Sequence, residues 1–400
     1  MEKSETMIGD YLIKKNKIIF NPLFNKSFDT YIQLINLNTQ INHLIFSNYD
    51  EIRIIKMNIF GTFKPKYQHI YNSYAFKQSK FNKPINIKLL NLTHLTFGFD
   101  FNKPIDLTNT NLTHLTFGFK FNKPIDLTNT KLTHLIFGCC FNQQINLKNT
   151  NLIYLKLDVD FDRPIKLTNS HLKILLLDDN YNQVINLENT CIVQLNLGSN
   201  FNESINLINS KLKYLKLGYA FNRHINIINT RLRFLKFGPY FNFIIKINKK
   251  LKYLEFGEMF DQPIELDDSF ELKYLLFGDY FNQPLKLNNK LLHLKLGFEF
   301  NQLIELNDNL IKLDIHKSFN QNIILPNIKS LKLIESDQYL LDNLPNSLES
   351  LEISYLDENS LMNLPNKLRK LTIKHNDNNI NYEFNLIYLP NSLESLHLPS

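Results

Sequence analysis

The chain has 400 residues, 44% of them hydrophobic and 12% aromatic, which excludes a disordered chain and leaves room for several domains or one long repeat array. A net charge of +7 over that length permits an acidic partner without demanding one. The three cysteines, Cys139, Cys140 and Cys191, form no C-x-x-C pair, which argues against a disulfide framework and points to a reducing compartment.

Taken in chain order, the opening stretch MEKSETMIGDYLIKKNKIIF carries charges throughout and lacks the apolar core of a signal peptide. No later run approaches the ~18–20 apolar residues of a membrane helix. Residues 1–75 read as an N-terminal cap of degenerate coils. Phe24-Asn25 looks like an orphan corner, and Ile41 to Phe46 like a strand half.

From there a repeat takes over. Phe (or Tyr) stands at 81, 101, 121, 141, 161, 181, 201, 221, 241, 260, 281, 300 and 319, thirteen starts separated by 19 to 21 residues. A fixed period of that size predicts a solenoid. The unit is F-N-x-P-I-x-L-x-N-T-x-L-x-x-L-x-F-G-x-x. Residues 104–108 alternate apolar and polar as a half-buried strand does, and Leu112-x-x-Leu115-x-Phe117 holds a second strand, which leaves no room for a helix. The glycine after the second strand, Asp158 or Asp178 in two coils, is expected to turn with left-handed backbone. One coil buries too little to offset the ordering of its twenty residues, so only stacking on neighbours can stabilise it. Repetition is therefore a building rule and not a duplicated active site.

Two asparagines mark the corners. Asn102, Asn122 and Asn142 represent the first, with Asp162 and Asp261 as substitutes; Asn109, Asn129 and Asn149 represent the second. Stacked coil on coil, such amides are expected to bond backbone groups that the bends leave unpaired, as asparagine ladders. Metal binding by these corners is disfavoured because most rungs are neutral amides.

The residues that carry these features resemble the FNIP repeat family, short relatives of the leucine-rich repeats. Phe-Asn-Lys-Pro-Ile at 81–85, 101–105 and 121–125 matches its naming motif with one substitution, and Leu-Pro-Asn-Ser-Leu-Glu-Ser-Leu at 344–351 and 389–396 matches its second half. The similarity covers roughly residues 76–400. It implies an all-β, leucine-rich-repeat-like β-solenoid of ~20-residue coils, a single elongated array. It also implies a binding role, some members being F-box adaptors of ubiquitin ligases. Residues 76–320 form the regular repeats. Residues 321–400 are divergent Leu-Pro-x-x-Leu repeats of the same solenoid, with an insertion at 376–385 and an exposed terminal strand edge blunted by Glu394 and Pro399. An F-box-like module in residues 1–75 competes with the cap, but neither a Leu-Pro-x-Glu start nor a sustained 3.6-residue period supports it.

By analogy with leucine-rich repeats, the strand residues between the leucines line a concave face. One column runs His94, His114, His134, Tyr154, Ile174, Gln194, Tyr214, Phe234, Tyr253, Tyr274, His293. Beside it lie Lys216, Lys236 and Arg233. Stacking of like residues is what duplicated coils produce in any case. The functional reading makes Tyr154, Tyr214, Phe234, Tyr253 and Tyr274, with Lys216, Lys236 and Arg233, a protein-binding face, these being residue types enriched at hot spots. The alternative is nucleic acid held by lysines and stacked aromatics.

The row His94, His114, His134 could bind zinc or copper, but no carboxylate or thiol completes the set. Its protonation below about pH 6.5 predicts a mild acid sensitivity. No nucleophile motif, phosphate loop or paired metal ligands occur. The expectation is a non-catalytic cytoplasmic scaffold (a host cell's cytoplasm, if viral) with a protein partner, no cofactor, no metal and no membrane.

Overall fold

The computed structural model describes residues 10–37, 40–46, 79–168, 170–316, 318–334, 338–354, 363–374 and 389–398. By compactness the chain divides into two units, residues 1–178 and 179–400. Much of the stretch read as the cap, the 376–385 insertion and Pro399 lie outside the described residues.

Unit 1 opens with an antiparallel hairpin of Tyr11–Lys14 and Lys17–Phe20. A nine-residue helix, Asp29–Leu37, follows, which the sequence reading did not contain. Phe28 next to it and Tyr31 within it pack into an aromatic cluster around Phe20, Phe24 and Phe46, and Ile35 is buried. Parallel pairing then carries Lys17–Phe20 to His43–Ile45, His94–Thr96, His114–Thr116, His134–Ile136, Tyr154–Leu157 and Ile174–Leu177. Equivalent coil positions stand opposite one another, His94 against His114 and His114 against His134.

Unit 2 repeats the scheme. Its parallel strands Gln194–Asn196, Tyr214–Lys216, Phe234–Lys236, Tyr253–Glu255, Tyr274–Leu276 and His293–Lys295 continue through Lys312–His316 and Ser330–Ile334 to Ser395–His397. A five-residue helix, Gln338–Asp342, is its one α-helix among the described residues. The alternation within Leu-x-x-Leu-x-Phe decides which side faces in: Leu115 and Phe117 are buried, while His114 and Thr116 are half-buried on the outer side. Both units are therefore β-solenoids of stacked parallel coils.

The first of the two strands expected in each coil, at 104–108, is largely missing. Residues 101–107 carry no ladder, and among the described residues only Ile185–Asn186 and Ile205–Asn206 pair on this side. The ring files show the shape of the coil. On the outer side of the strands, stacked rings are 4.2 Å (His94–His114) and 4.1 Å (Tyr214–Phe234) apart. At the Phe117 position the step is 5.3 to 5.6 Å, and at the Phe-Asn corner 6.0 to 6.2 Å across Phe81, Phe101, Phe121, Phe141 and Phe161. Each coil is a wedge, narrow at the strand. A ladder needs strands ~4.8 Å apart, and this wider side carries little of one, the pair at 185–186 and 205–206 forming beside a corner step of 6.3 Å between Tyr181 and Phe201. Elsewhere on that side backbone groups bond locally, as where Thr108 N–H donates to Asp106 Oδ1 at 2.9 Å and Lys148 N–H to Asn146 Oδ1 at 3.0 Å.

The corner glycine also has another cause than the one its sequence position suggests. Gly118 and Gly238 are not left-handed; a Cβ on Gly118 would lie 2.0 Å from the Gly98 carbonyl oxygen, and one on Gly238 would lie 1.9 Å from that of Gly218. Glycine is required because backbones of successive coils touch there. Where Asp158 and Asp178 replace it, the strands Tyr154–Leu157 and Ile174–Leu177 run four residues instead of three. Left-handed backbone belongs to the second corner, at Asn109 (φ 57°), Asn129 (56°), Asn149 (58°), Asn189 (55°) and Asn209 (51°).

Candidate functional site

The asparagines of the first corner bind coil to coil. Asn102 N–H donates to Asn82 Oδ1 at 3.0 Å, Asn122 to Asn102 at 3.0 Å, Asn142 to Asn122 at 3.1 Å and Asp162 to Asn142 at 3.2 Å. Asn25 supplies the first rung, accepting from Asn82 N–H at 3.0 Å. In unit 2 the chain of bonds runs from Asn182 through Asn202, Asn222, Asn242, Asp261, Asn282 and Asn301 to Asn320. The third coil position adds to the ladder in both units, Gln143 donating to Asn122 Oδ1 at 2.9 Å in unit 1. Gln262, Gln283, Gln302 and Gln321 each add an amide bond to the preceding rung. Asn109, Asn129 and Asn149 have exposed side chains and act through their backbone, as the left-handed residues of a turn.

On the strand side of unit 1 the imidazoles of His94, His114 and His134 stack face to face at 4.2 and 4.3 Å, 11° and 7° from parallel. The Thr113 hydroxyl lies 3.1 Å from the Thr93 carbonyl oxygen and 2.9 Å from His114 Nδ1, an arrangement repeated at Thr133 and His134. With the hydroxyl donating to the carbonyl, Nδ1–H donates to the hydroxyl and the Nε2 lone pair faces outward. Burial pushes His114 down to about 4, helped by charge on His94 and His134, and lowers His94 and His134 in the same way. Stacked rings hold their in-plane lone pairs side by side, which is not a chelating geometry. Among the described residues no three His, Cys, Asp or Glu side chains form a metal-holding group.

On the strand side of unit 2 the rings of Tyr214, Phe234 and Tyr253 stack at 4.1 and 4.2 Å, with Tyr274 next at 5.9 Å. Phe234 is 8% exposed, so this file offers ring edges and hydroxyls more than ring faces. The Tyr253 hydroxyl and Lys236 both bond Glu255. Arg233 pairs with Glu271 at 3.5 Å across exposed side chains, and Lys216 is exposed. Burial pushes the Tyr214 phenol up to about 12 and raises that of Tyr253 further, with the Glu255 bond adding to it. Tyr154 belongs to unit 1, where its ring ends the histidine file 5.7 Å from His134.

The fold is leucine-rich-repeat-like. A solved structure, CroV588, described as a novel circular LRR protein, is similar to this chain at 28% identity with a TM-score of 0.50, over 97% of this chain and 70% of its own. No family model and no curated protein matches the chain.

Two features of this leucine-rich-repeat-like array went unread in the sequence. Asp314 is buried 3.2 Å from His293 Nε2 and 3.3 Å from Lys312 Nζ. Burial raises its carboxyl, but those two partners outweigh burial and leave it lowered. Its register neighbours are Lys295 and Lys332. The second feature is the pair of positions after the corner glycine, where unit 2 exposes Tyr219, Tyr240, Met259 and Tyr280. Their recurrence in consecutive coils was the available signal. Cys139 and Cys140 carry no activation: burial pushes the Cys139 thiol up to about 12, with Asp158 adding to it, and raises that of Cys140. No helix among the described residues is long and apolar enough to cross a membrane.

Proposed function

We propose that the chain is a non-catalytic cytoplasmic scaffold of the FNIP repeat kind that binds a protein partner through the strand side of unit 2. The carrying observation is the ordered file Tyr214, Phe234, Tyr253, Tyr274, bordered by Lys216, Lys236 and Arg233. Rings already fixed by their neighbours lose little side-chain freedom on binding, the property that makes tyrosine a common anchor. Tyr154 occupies the equivalent coil position in unit 1. The stacking also favours protein over nucleic acid, because bases need free ring faces and here each face is covered by the next ring. The leucine-rich-repeat-like fold is compatible with such a role.

A pull-down from extract with mass spectrometry tests it, comparing wild type with Tyr214→Ala/Tyr253→Ala/Tyr274→Ala, with nuclease added to half of each. The expected result is a protein captured by wild type, lost with the variant and indifferent to nuclease. Capture that disappears with nuclease would replace the protein partner by nucleic acid, and identical capture by both proteins would place binding on another face.

A further inference from the structure

The corner that follows the glycine is built alike in both units, and in unit 1 its Asp100 carboxylate is neutralised. In unit 1 it holds Phe99 and Phe119, stacked at 4.7 Å, and Asp100. The chain itself supplies the cations. Lys120 Nζ lies 2.7 Å from Asp100 and 5.5 Å from the centre of the Phe99 ring, and Lys80 lies 3.4 Å from the same carboxylate. An aromatic ring, a carboxylate and a lysine thus form a closed set.

Among the described residues unit 2 has the first two members without the third. Its corner coils are tied in register by Tyr240 N–H to Tyr219 O (3.3 Å), Met259 N–H to Pro239 O (2.9 Å), Tyr280 N–H to Glu258 O (3.0 Å) and Glu299 N–H to Asp279 O (2.7 Å). Along this edge Tyr219 is 50% and Tyr280 52% exposed, with Tyr240 and Met259 between them. The rings of Tyr219 and Tyr240 meet edge to face at 4.7 Å. Glu258, Asp279 and Glu299 are interleaved with them, all exposed, and among the described residues none pairs with a Lys, Arg or His. The Tyr219 phenol is raised, chiefly by its bond to Tyr240, with the charge on Glu258 contributing. An acidic, aromatic edge on a chain of net charge +7 is a local exception.

We propose that this edge of unit 2 docks an extended, lysine- or arginine-bearing segment of a partner protein, whose cations take the place that Lys120 fills in unit 1. Each incoming cation meets a ring and a carboxylate together, combining cation–π attraction with an ion pair. Carboxylates recur once per coil, and an extended chain presents every second side chain on one side at ~6.6 Å intervals, close enough to follow the coils. The surface is separate from the strand-side file, so neither reading depends on the other.

The test is fluorescence anisotropy of a fluorescein-labelled peptide of alternating lysine and serine, against a peptide of alternating glutamate and serine, at low and at physiological salt. Four proteins are compared: wild type, Glu258→Gln/Asp279→Asn/Glu299→Gln, Tyr240→Ala/Tyr280→Ala, and a charge-matched control, Glu203→Gln/Glu265→Gln/Glu305→Gln. Circular dichroism and the melting midpoint verify the fold of each. The expected result is binding of the lysine peptide alone, at least ~10-fold weaker in both corner variants and unchanged in the control. Equal weakening in the control and the corner variants would reduce the effect to bulk charge and overturn the proposal. So would absence of wild-type binding. Sedimentation velocity adds a third outcome: self-association abolished by Lys83→Gln/Lys103→Gln/Lys123→Gln would assign the edge to a second copy of this chain, and not to a separate partner.

Discussion

Units 1 and 2 share one backbone scheme and differ in what they leave open. Both step by about 4 Å on the outer side of the strand and about 6 Å at the Phe-Asn corner, and both close their first corner with Asn-to-backbone bonds. On that common frame unit 1 answers its own polar groups: histidines bond threonines, and Lys120 answers Asp100 and Phe99. Unit 2 places tyrosines where unit 1 has histidines, and leaves the carboxylates of Glu258, Asp279 and Glu299 unanswered. The difference teaches that positions which set the step between coils are held to one or two residue types. Positions that face outward change freely, and there the units have become different surfaces.

The comparison breaks most readily at the glycine corner. Gly118→Ala in unit 1 and Gly238→Ala in unit 2 push a Cβ into backbone oxygen and should each cost about 3 kcal/mol, at the upper end of overpacking. Thermal melts and amide exchange of the flanking coils measure this. A near-zero effect in either unit would mean that the coils can spread, and that the frame is not shared. The next effect is smaller. Asn122→Ala removes the acceptor of both Asn142 N–H and the Gln143 amide, and should cost about 1–3 kcal/mol. A change of surface size, within about 0.5 kcal/mol, would show that the ladder is ornamental.

The smallest effect separates the units by pH. His94, His114 and His134 are lowered in the folded chain, so as pH falls the unfolded chain takes up protons first. Their contribution is therefore intact above pH 6.5, the unperturbed value, and is lost between there and about 4, where His114 titrates. The groups facing the file are Lys17, His43 and Tyr154, and Lys17 adds positive charge. The rings are half exposed, so water screens the effect and keeps it modest. Amide exchange at pH 7 and pH 5 should show unit 1 loosening around residues 94–134 while the coils of Tyr214 to Tyr274 hold. Equal loosening in both units would remove the histidines as its cause.

Much of this frame is legible in the sequence because each of its letters recurs. The leucines, the Phe-Asn corner and the outward column from His94 to His293 can be read from one coil and copied to the rest. What a single coil does not encode is its distance from the next. For that reason the glycine reads as a left-handed turn when it is a point of contact between backbones, and residues 104–108 read as a strand when they carry no ladder to the next coil. The helix Asp29–Leu37 escaped because it is short and its apolar residues serve an aromatic cluster, which has no period. Of the candidate sites, the tyrosine file follows from the column. The acidic edge does not, because its two positions alternate between Tyr, Met, Glu and Asp and look variable when taken one at a time.

The Asn ladder has a consequence for how such a chain grows. Each rung accepts a bond from the coil after it and donates one to the coil before it, so every coil carries both halves of the joint. An in-frame copy of one twenty-residue segment would arrive with its own plug and its own socket, and neither neighbour would need a compensating change. Residues 101–120 and 121–140, FNKPIDLTNTNLTHLTFGFK and FNKPIDLTNTKLTHLIFGCC, have the look of such a copy. In an array jointed this way, lengthening is a mutation that the fold already accommodates.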